Sequence, residues 1–442
     1  MHYYFIEISS AGSGSGGFLS HDILSAGGAT YVGAYARARQ TGSGVSAPGA
    51  IAAQCAPQGA AALTVEITES ARLTGLDAEW RDLLRRADAP NVFMTPATIK
   101  LAGETHPDTR RIAVLAWQKT GRGKHLAGVW AFAIRRAPQS ILPMNVLAAP
   151  AMGHAYLATP VIDRDLLEEA LAAMLDAIAA DARLPHFVAL DAMATDGATM
   201  QALSHVLRAR GGAPCVLTEA RRPMLASALD GRQYLQQALS GSSRKKLRQH
   251  RRRLAEKGRL EYRIDSAPEA VGQAVEAFLQ LEASGWKGRQ GTALLSDAAD
   301  AAFVRSMVPT LAQQGDAQVH ALYLEGKPLS VQIVLRAGTA AFTWKTAYDE
   351  AWRDASPGML LLEDYTAAFL ADDSIAYVDS CAYDETSFMA AWSERQAIAS
   401  LWFDVRPGTP LSFTLAFRIQ KIYAVFRAAA KRMHQKYTRP AR

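Results

Sequence analysis

Apolar and polar positions alternate most sharply between residues 317 and 348. AQVHALYL and the run beyond it, LSVQIVLRAG, flank Glu325-Gly326-Lys327-Pro328, which predicts a β-hairpin feeding a buried strand at Ala340–Trp344. After a polar loop, Ser356-Pro357-Gly358 opens a segment with Met359, Leu362, Tyr365 and Phe369 at helical spacing. A short strand, Ile375–Val378, then delivers Asp379-Ser380-Cys381-Ala382, followed by Trp392-Ser393-Glu394-Arg395. Ser356 can cap the helix and Pro357 suits its first turn, so free N–H groups should gather beside Gly358. That is either an ordinary helix cap or an anion site, because unpaired donors and the positive end of the helix dipole converge there.

The first half gives a similar succession. LTVEIT from Leu63 alternates as a strand, and Leu76, Trp80, Leu83 and Leu84 share one helical face. A turn follows at Asn91–Pro96, and RIAVLAWQ with LAGVWAFAIR around Thr120-Gly121-Arg122-Gly123 reads as a hairpin. Then come a helix at Asp165–Ala180, a strand at His186–Leu190, a helix at Gly197–Arg210 and a strand at Pro214–Thr218. Strand and helix alternate in each half, so the fold class is α/β.

Residues 1–60 stand apart, being rich in Gly, Ala and Ser, and read as a flexible leader. Gly12, Gly14 and Gly17 match a dinucleotide-binding spacing, but no amphipathic helix follows and no Asp or Glu stands about 20 residues on to hold a ribose.

Charge is concentrated in two places. SGSSRKKLRQHRRRLAEKG predicts a helix capped near Ser240 and ended by Gly258, with Leu247 and Leu254 in its buried stripe. Arg244, Lys245 and Lys246 occupy its first turn, where exposed cations oppose the helix dipole by about 0.3–1 kcal/mol each. An anionic partner would offset that placement; a solvated face and nucleic acid are the competing readings, and no aromatic residues are interleaved for base stacking. The tail has no acid after Asp404, and Leu411, Leu415, Ile419, Ile422 and Phe426 give Pro410–Lys436 the pattern of a basic amphipathic helix. It either docks on the protein itself or meets an anionic membrane surface or a membrane-bound synthase.

With 442 residues, 49 % hydrophobic and 20 % charged, the composition is that of a globular protein with room for two domains. Cys55, Cys215 and Cys381 are widely spaced and the histidines are scattered, so neither a disulfide framework nor a metal site is expected. No apolar run approaches the roughly 20 residues of a membrane span, and the start lacks a secretory signal, which points to the cytoplasm with peripheral contact to the inner membrane as an option. Gly285-Trp286-Lys287-Gly288-Arg289-Gln290-Gly291 reads either as a cover over a ligand with Trp286 as its wall, or as a Trp plugging the core edge.

GWKGRQGTAL, FTWKTAYDE, SPGMLL, DSCAYDE with WSER, and the serine-rich basic start at Ser240–Gly258 together resemble the GNAT N-acetyltransferase superfamily. Within it they are most similar to CelD-like acetyltransferases, found beside cellulose and exopolysaccharide synthesis genes. The resemblance spans roughly Ala61 to Arg406 and implies tandem GNAT-like domains, as in Fem-type aminoacyl transferases, each with a mixed, mostly antiparallel sheet flanked by helices. The implied division is a leader at 1–60, a domain at 61–225 that shapes the acceptor cleft, a donor-binding domain at 226–406 and a terminal helix at 407–442.

The resemblance further implies direct attack of an amine or hydroxyl on an acyl-CoA thioester. Acetyl-CoA or another acyl-CoA would be the co-substrate, held by Ser356, Gly358, Met359 and Leu360 with Arg244 and Lys245, while Trp344 and Lys345 flank the thioester. The motif has one glycine where the family usually has two or three, which leaves an acyl carrier protein open as donor. Asp379 is the first candidate for the base, with Asp384 and Glu394 behind it, and Tyr383 or Tyr348 could protonate the leaving thiolate. Cys381 reads as a small packed residue. The acceptor would be a small molecule or saccharide-linked group; a Fem-like use of aminoacyl-tRNA and a non-catalytic role beside a polysaccharide synthase are the alternatives.

Overall fold

A computed structural model of the chain describes residues 63–121, 123–137, 140–382 and 388–438. Where apolar runs are continuous, as in RIAVLA and LAGVWAFA, the strands of the first half have both faces covered. They are β1 (Leu63–Glu69), β2 (Arg111–Thr120), β3 (Gly123–Arg136), β4 (Asn145–Ala149), the two-residue β5 (Val161–Ile162), β6 (Phe187–Ala194) and β7 (Cys215–Leu225). The helices between them are α1 (Asp77–Arg86), α2 (Pro96–Thr105), α3 (Leu167–Ala180) and α4 (Ala198–Ala209). In α3, Ala170, Leu171, Met174, Leu175 and Ile178 are buried, the stripe that a 3.6-residue period requires. The helix α2 has no counterpart in the sequence reading, its PATIKLAGET being only weakly amphipathic.

The second half contributes α5 (Gly231–Ala238), α6 (Gly241–Ala255), β8 (Leu260–Asp265), α7 (Pro268–Ser284), α8 (Trp286–Arg289) and α9 (Ala298–Gln313). Then follow β9 (Ala317–Leu324), β10 (Lys327–Ala337), β11 (Ala340–Tyr348), α10 (Pro357–Ala371), β12 (Tyr377–Asp379), β13 (Glu394–Asp404) and α11 (Leu411–Thr438). The strands join one sheet in the order β1-β2-β3-β4-β6-β13-β7-β12-β11-β10-β9-β8, with β5 on β3. All pairings are antiparallel except β4 with β6 and β11 with β12. This mixed, mostly antiparallel sheet flanked by helices is the fold class expected from the sequence.

The order of the central strands was not legible beforehand. β7 ends at Leu225 yet pairs with β12, and β13, unforeseen as a strand, lies between β6 and β7. The last strand of each half is thus built into the sheet of the other. The apolar core is shared in the same way: Phe93 and Phe342 meet edge-on at 5.6 Å between ring centres. A second cluster, with Leu247, Leu360, Tyr365 and Trp392, holds α5, α6 and α10 to the sheet. No helix among the described residues is long and apolar enough to cross a membrane.

Candidate active site

Strands β11 and β12 run parallel for three residue pairs, from Ala340 opposite Tyr377 to Phe342 opposite Asp379, and then part. β11 continues to Tyr348 on β10 alone. Thr343 faces Val334 and Lys345 faces Ile333, so Trp344 is an extra residue, a bulge that re-aims the strand beside the gap. The Trp344 indole donates to the His154 carbonyl at 2.6 Å, and Lys345 Nζ donates to Tyr156 Oη at 2.8 Å and lies 3.2 Å from His154 Nδ1. The segment after β4 therefore forms one wall of the gap.

A chain of polar groups leads away from Lys345. His154 Nε2 and His106 Nε2 each lie 3.0 Å from Asp300 Oδ1, and the His106 side chain, at the end of α2, is 28 % exposed. Both rings can donate to the carboxylate, which leaves His154 Nδ1 as the acceptor for Lys345. Burial lowers the Lys345 ammonium pKa, opposed by the negative charges of Glu282 and Asp300. Burial and the nearby Lys345 charge push the His154 imidazole down too. Asp300 is partly buried, which disfavours its charge, but hydrogen bonds from His106 and His154 outweigh this and hold it well below the carboxylate range. Burial pushes the Tyr156 phenol up, so it stays protonated. His106, Asp297 and Asp300 bring ligand atoms within 4.8 Å of one another, but Asp297 caps α9 and the Arg111 guanidinium lines the same space, which disfavours a cation.

The glycine-rich loop is pinned beneath this chain. It folds as the single turn α8, where a Cβ on Gly288 would stand 1.7 Å from the Ala283 carbonyl oxygen. Lys287 Nζ lies 2.6 Å from the buried Glu282 carboxylate, whose other oxygen accepts from the Leu294 amide at 2.8 Å. Glu350 accepts from the Trp286 amide at 2.7 Å and pairs with Arg289, and Trp286 is half-buried.

Asp379, the first candidate for the base, lies in the core with both carboxylate oxygens engaged. It and Arg222 of β7 are both fully buried, and one guanidinium nitrogen spans its two oxygens at 3.1 and 3.2 Å while also donating to the Tyr156 carbonyl at 2.8 Å. Asp379 Oδ1 also accepts from the Cys381 amide at 2.7 Å. Its oxygens are committed to tying β12 to β7, which makes it a strut. Cys381 is buried, as expected for a packed residue, and burial raises its thiol pKa.

Glu394 is not brought to Lys345, since β7 and β12 lie between their strands. It accepts from Tyr234 Oη at 2.6 Å and, with Ser393, Ser227, Leu229, Gln237 and Ala238, lines a separate cavity of about 330 Å³. Burial and the Glu394 hydrogen bond push the Tyr234 phenol up. Tyr383 and Asp384 lie outside the described residues.

At the start of α10 the sequence is right about position and wrong about the cap. Ser356 is left-handed, φ 51° and ψ 52°, and its side chain makes no capping bond. The Met359 and Leu360 amides bond to the Ser356 carbonyl at 3.0 and 3.2 Å, and the Leu360 side chain is in the core. Beside Gly358 there is open space, since a Cβ there would meet nothing within 4 Å. The middle of α6 lies along α10, with Arg251 on Glu363 and Asp364 at 3.2 and 2.8 Å and His250 against the backbone at Ala355. Arg244 and Lys245 are in the first turn of α6, half-buried and exposed respectively.

Residues 241–388, the part of the chain that holds Lys345, α8 and the start of α10, match the family model of the acetyltransferase (GNAT) domain. Among solved structures the chain is similar to FemX, with a TM-score of 0.53 at 14 % identity over 77 % of this chain and 98 % of that one. It is also similar to the C-terminal DUF2156 domain of a putative lysylphosphatidylglycerol synthetase from Agrobacterium fabrum, with a TM-score of 0.44 and 14 % identity over 77 % and 93 % of the two chains. A tandem GNAT protein from the clavulanic acid biosynthesis pathway gives a TM-score of 0.39 and 13 % identity over 78 % and 100 %. No curated protein matches the chain in sequence.

The sequence reading singled out Trp344 and Lys345, but not His154, Tyr156, Asp300, Glu282 or Arg222. Those residues lie between 45 (Asp300) and 191 (His154) positions from Lys345 in the chain, in segments without a motif, and only the tertiary fold brings them to the gap.

Proposed function

We propose that the chain transfers an acyl group from acetyl-CoA or another acyl-CoA to a polar amine or hydroxyl in the gap between β11 and β12. The observation that carries this reading is the bulge at Trp344 beside the parted strands, next to an uncapped helix start and inside the GNAT-type segment. Backbone groups of β11 beyond Phe342 have no strand partner on the β12 side and suit a pantetheine arm. The positive end of the α10 dipole, beside the open space at Gly358, favours its phosphates. A backbone N–H at the bulge opposes the charge that grows on the thioester oxygen as the acceptor attacks.

The acceptor gives its proton to the neutral form of Lys345, whose proportion burial increases. Lys345 shares that proton with His154 Nδ1, and the Asp300 carboxylate, kept ionised by the hydrogen bonds from His154 and His106, stabilises the positive charge this places on the pair. Tyr156, kept protonated, can return a proton to the departing thiolate. The repeated parallel pair, β4 with β6 and β11 with β12, supports reading the chain as two GNAT-like domains in tandem, the first furnishing His106, His154 and Tyr156. A saccharide-linked amine or hydroxyl remains the acceptor class we favour, and a carrier-protein thioester would present the same pantetheine arm.

Calorimetry with acetyl-CoA tests the donor site: binding should be measurable and should be lost in Gly358→Trp, which fills the open space. Given an acceptor, Lys345→Met should lower kcat by roughly 10²–10⁴-fold, and His154→Gln should flatten the rise of rate with pH. Failure of acetyl-CoA to bind, with consumption of charged tRNA instead, would overturn the CoA reading in favour of a Fem-type donor.

A further inference from the structure

Large apolar side chains that stand exposed are few among the described residues. Of the eight, five lie on α11: Leu411 is 88 % exposed, Leu415 62 %, Ile422 58 %, Val425 61 % and Phe426 70 %. Leu411, Leu415, Arg418, Ile422 and Val425 are spaced by four, three, four and three residues, and Phe426 stands four beyond Ile422, which puts all six on one stripe of the helix. The stripe is not left over from a loosely held helix. The other face is docked: Phe413, Ala416 and Gln420 are buried, and the Phe413 ring meets Phe187 of β6 at 5.2 Å. The protein's own surface is thus satisfied by one side of α11, and the apolar stripe faces away from it.

Charge narrows what can cover the stripe. Arg418 stands exposed within it and Lys421 exposed at its flank, and the sequence continues with Lys431, Arg432, Lys436, Arg439 and Arg442. No acidic residue follows Asp404. A second copy packed stripe to stripe would set these cations against their own equivalents, with no acid on either helix to pair them. The occupant must offer an apolar interior and an anionic surface together, which is what a bilayer containing anionic phospholipid presents.

We propose that α11 is a membrane-surface helix, lying in the plane of an anionic bilayer with Leu411, Leu415, Ile422, Val425 and Phe426 at the boundary of headgroups and acyl chains. At 28 residues it runs for roughly 42 Å along that plane at the rise of an α-helix. The proposal is independent of the acyl-transfer chemistry.

Cosedimentation of the full chain with vesicles tests it, using phosphatidylcholine alone and equal parts phosphatidylcholine and phosphatidylglycerol, each in low and high salt. The chain should partition onto the anionic vesicles, hardly onto the neutral ones, and less in high salt. Arg418→Gln with Lys421→Gln should weaken partitioning roughly fivefold per cation. Leu415→Asp with Phe426→Asp should abolish it while leaving the thermal midpoint unchanged, since both side chains are exposed. No binding to anionic vesicles in low salt, equal binding to both compositions, or binding that survives both double substitutions would overturn the proposal. So would a dimer seen by light scattering that Leu415→Asp with Phe426→Asp dissolves, because a second copy would then be what covers the stripe.

Discussion

Replacing Arg222 with methionine separates a strut from a catalytic base. Arg222 and Asp379 are both completely buried, and the Asp379 oxygens are shared between one guanidinium nitrogen and the Cys381 amide. Arg222→Met keeps the length of the side chain but strands the Asp379 charge and the Tyr156 carbonyl. Breaking a buried pair on one side costs about 3–5 kcal/mol, a large part of a domain's stability. Removing both partners, in Arg222→Met with Asp379→Leu, should recover most of that loss, since a well-packed apolar pair of similar volume is often neutral. Urea unfolding of the wild type, the two single variants and the double variant closes the cycle. Alongside, Asp379→Asn should keep acyl transfer within a few fold per folded molecule. A fully stable Asp379→Asn protein with a rate down by roughly 10²-fold or more would refute the strut and restore Asp379 as the base.

Two further predictions concern stability. Gly288→Ala should cost roughly 2–4 kcal/mol or displace α8, because its Cβ would overlap the Ala283 carbonyl, whereas Gly272→Ala in α7, where a Cβ meets nothing, should raise the thermal midpoint slightly. His320 is buried between Tyr262 and Gln318, with Tyr365 and Phe369 against its ring, and burial pushes its pKa down to about 3 from 6.5. Between those values the unfolded chain binds the extra proton, so stability should fall by roughly 5 kcal/mol as pH drops from 6.5 to 3 and level off below. His320→Gln should flatten that slope in acid unfolding, and an unchanged slope would assign it to other groups.

The sequence determined what is local. Alternation predicted the hairpin of β9 and β10 and the strand β11, and the 3.6-residue period placed α3, α6 and α10, because neighbouring residues alone set which face of an element is apolar. The bulge at Trp344 and the left-handed Ser356 broke that legibility: Trp344 was singled out without its bulge, and Ser356 was read as a side-chain cap. Tertiary structure decided the rest. Nothing in ERQAIASLWFD says that it pairs with strands of the first half, since strand partners are chosen by the whole sheet. The fate of Asp379 depended on Arg222, 157 positions away. Lys345 met His154, Tyr156 and Asp300 for the same reason: burial and proximity, which set how a titratable group behaves, are properties of the assembled core and not of any stretch of chain.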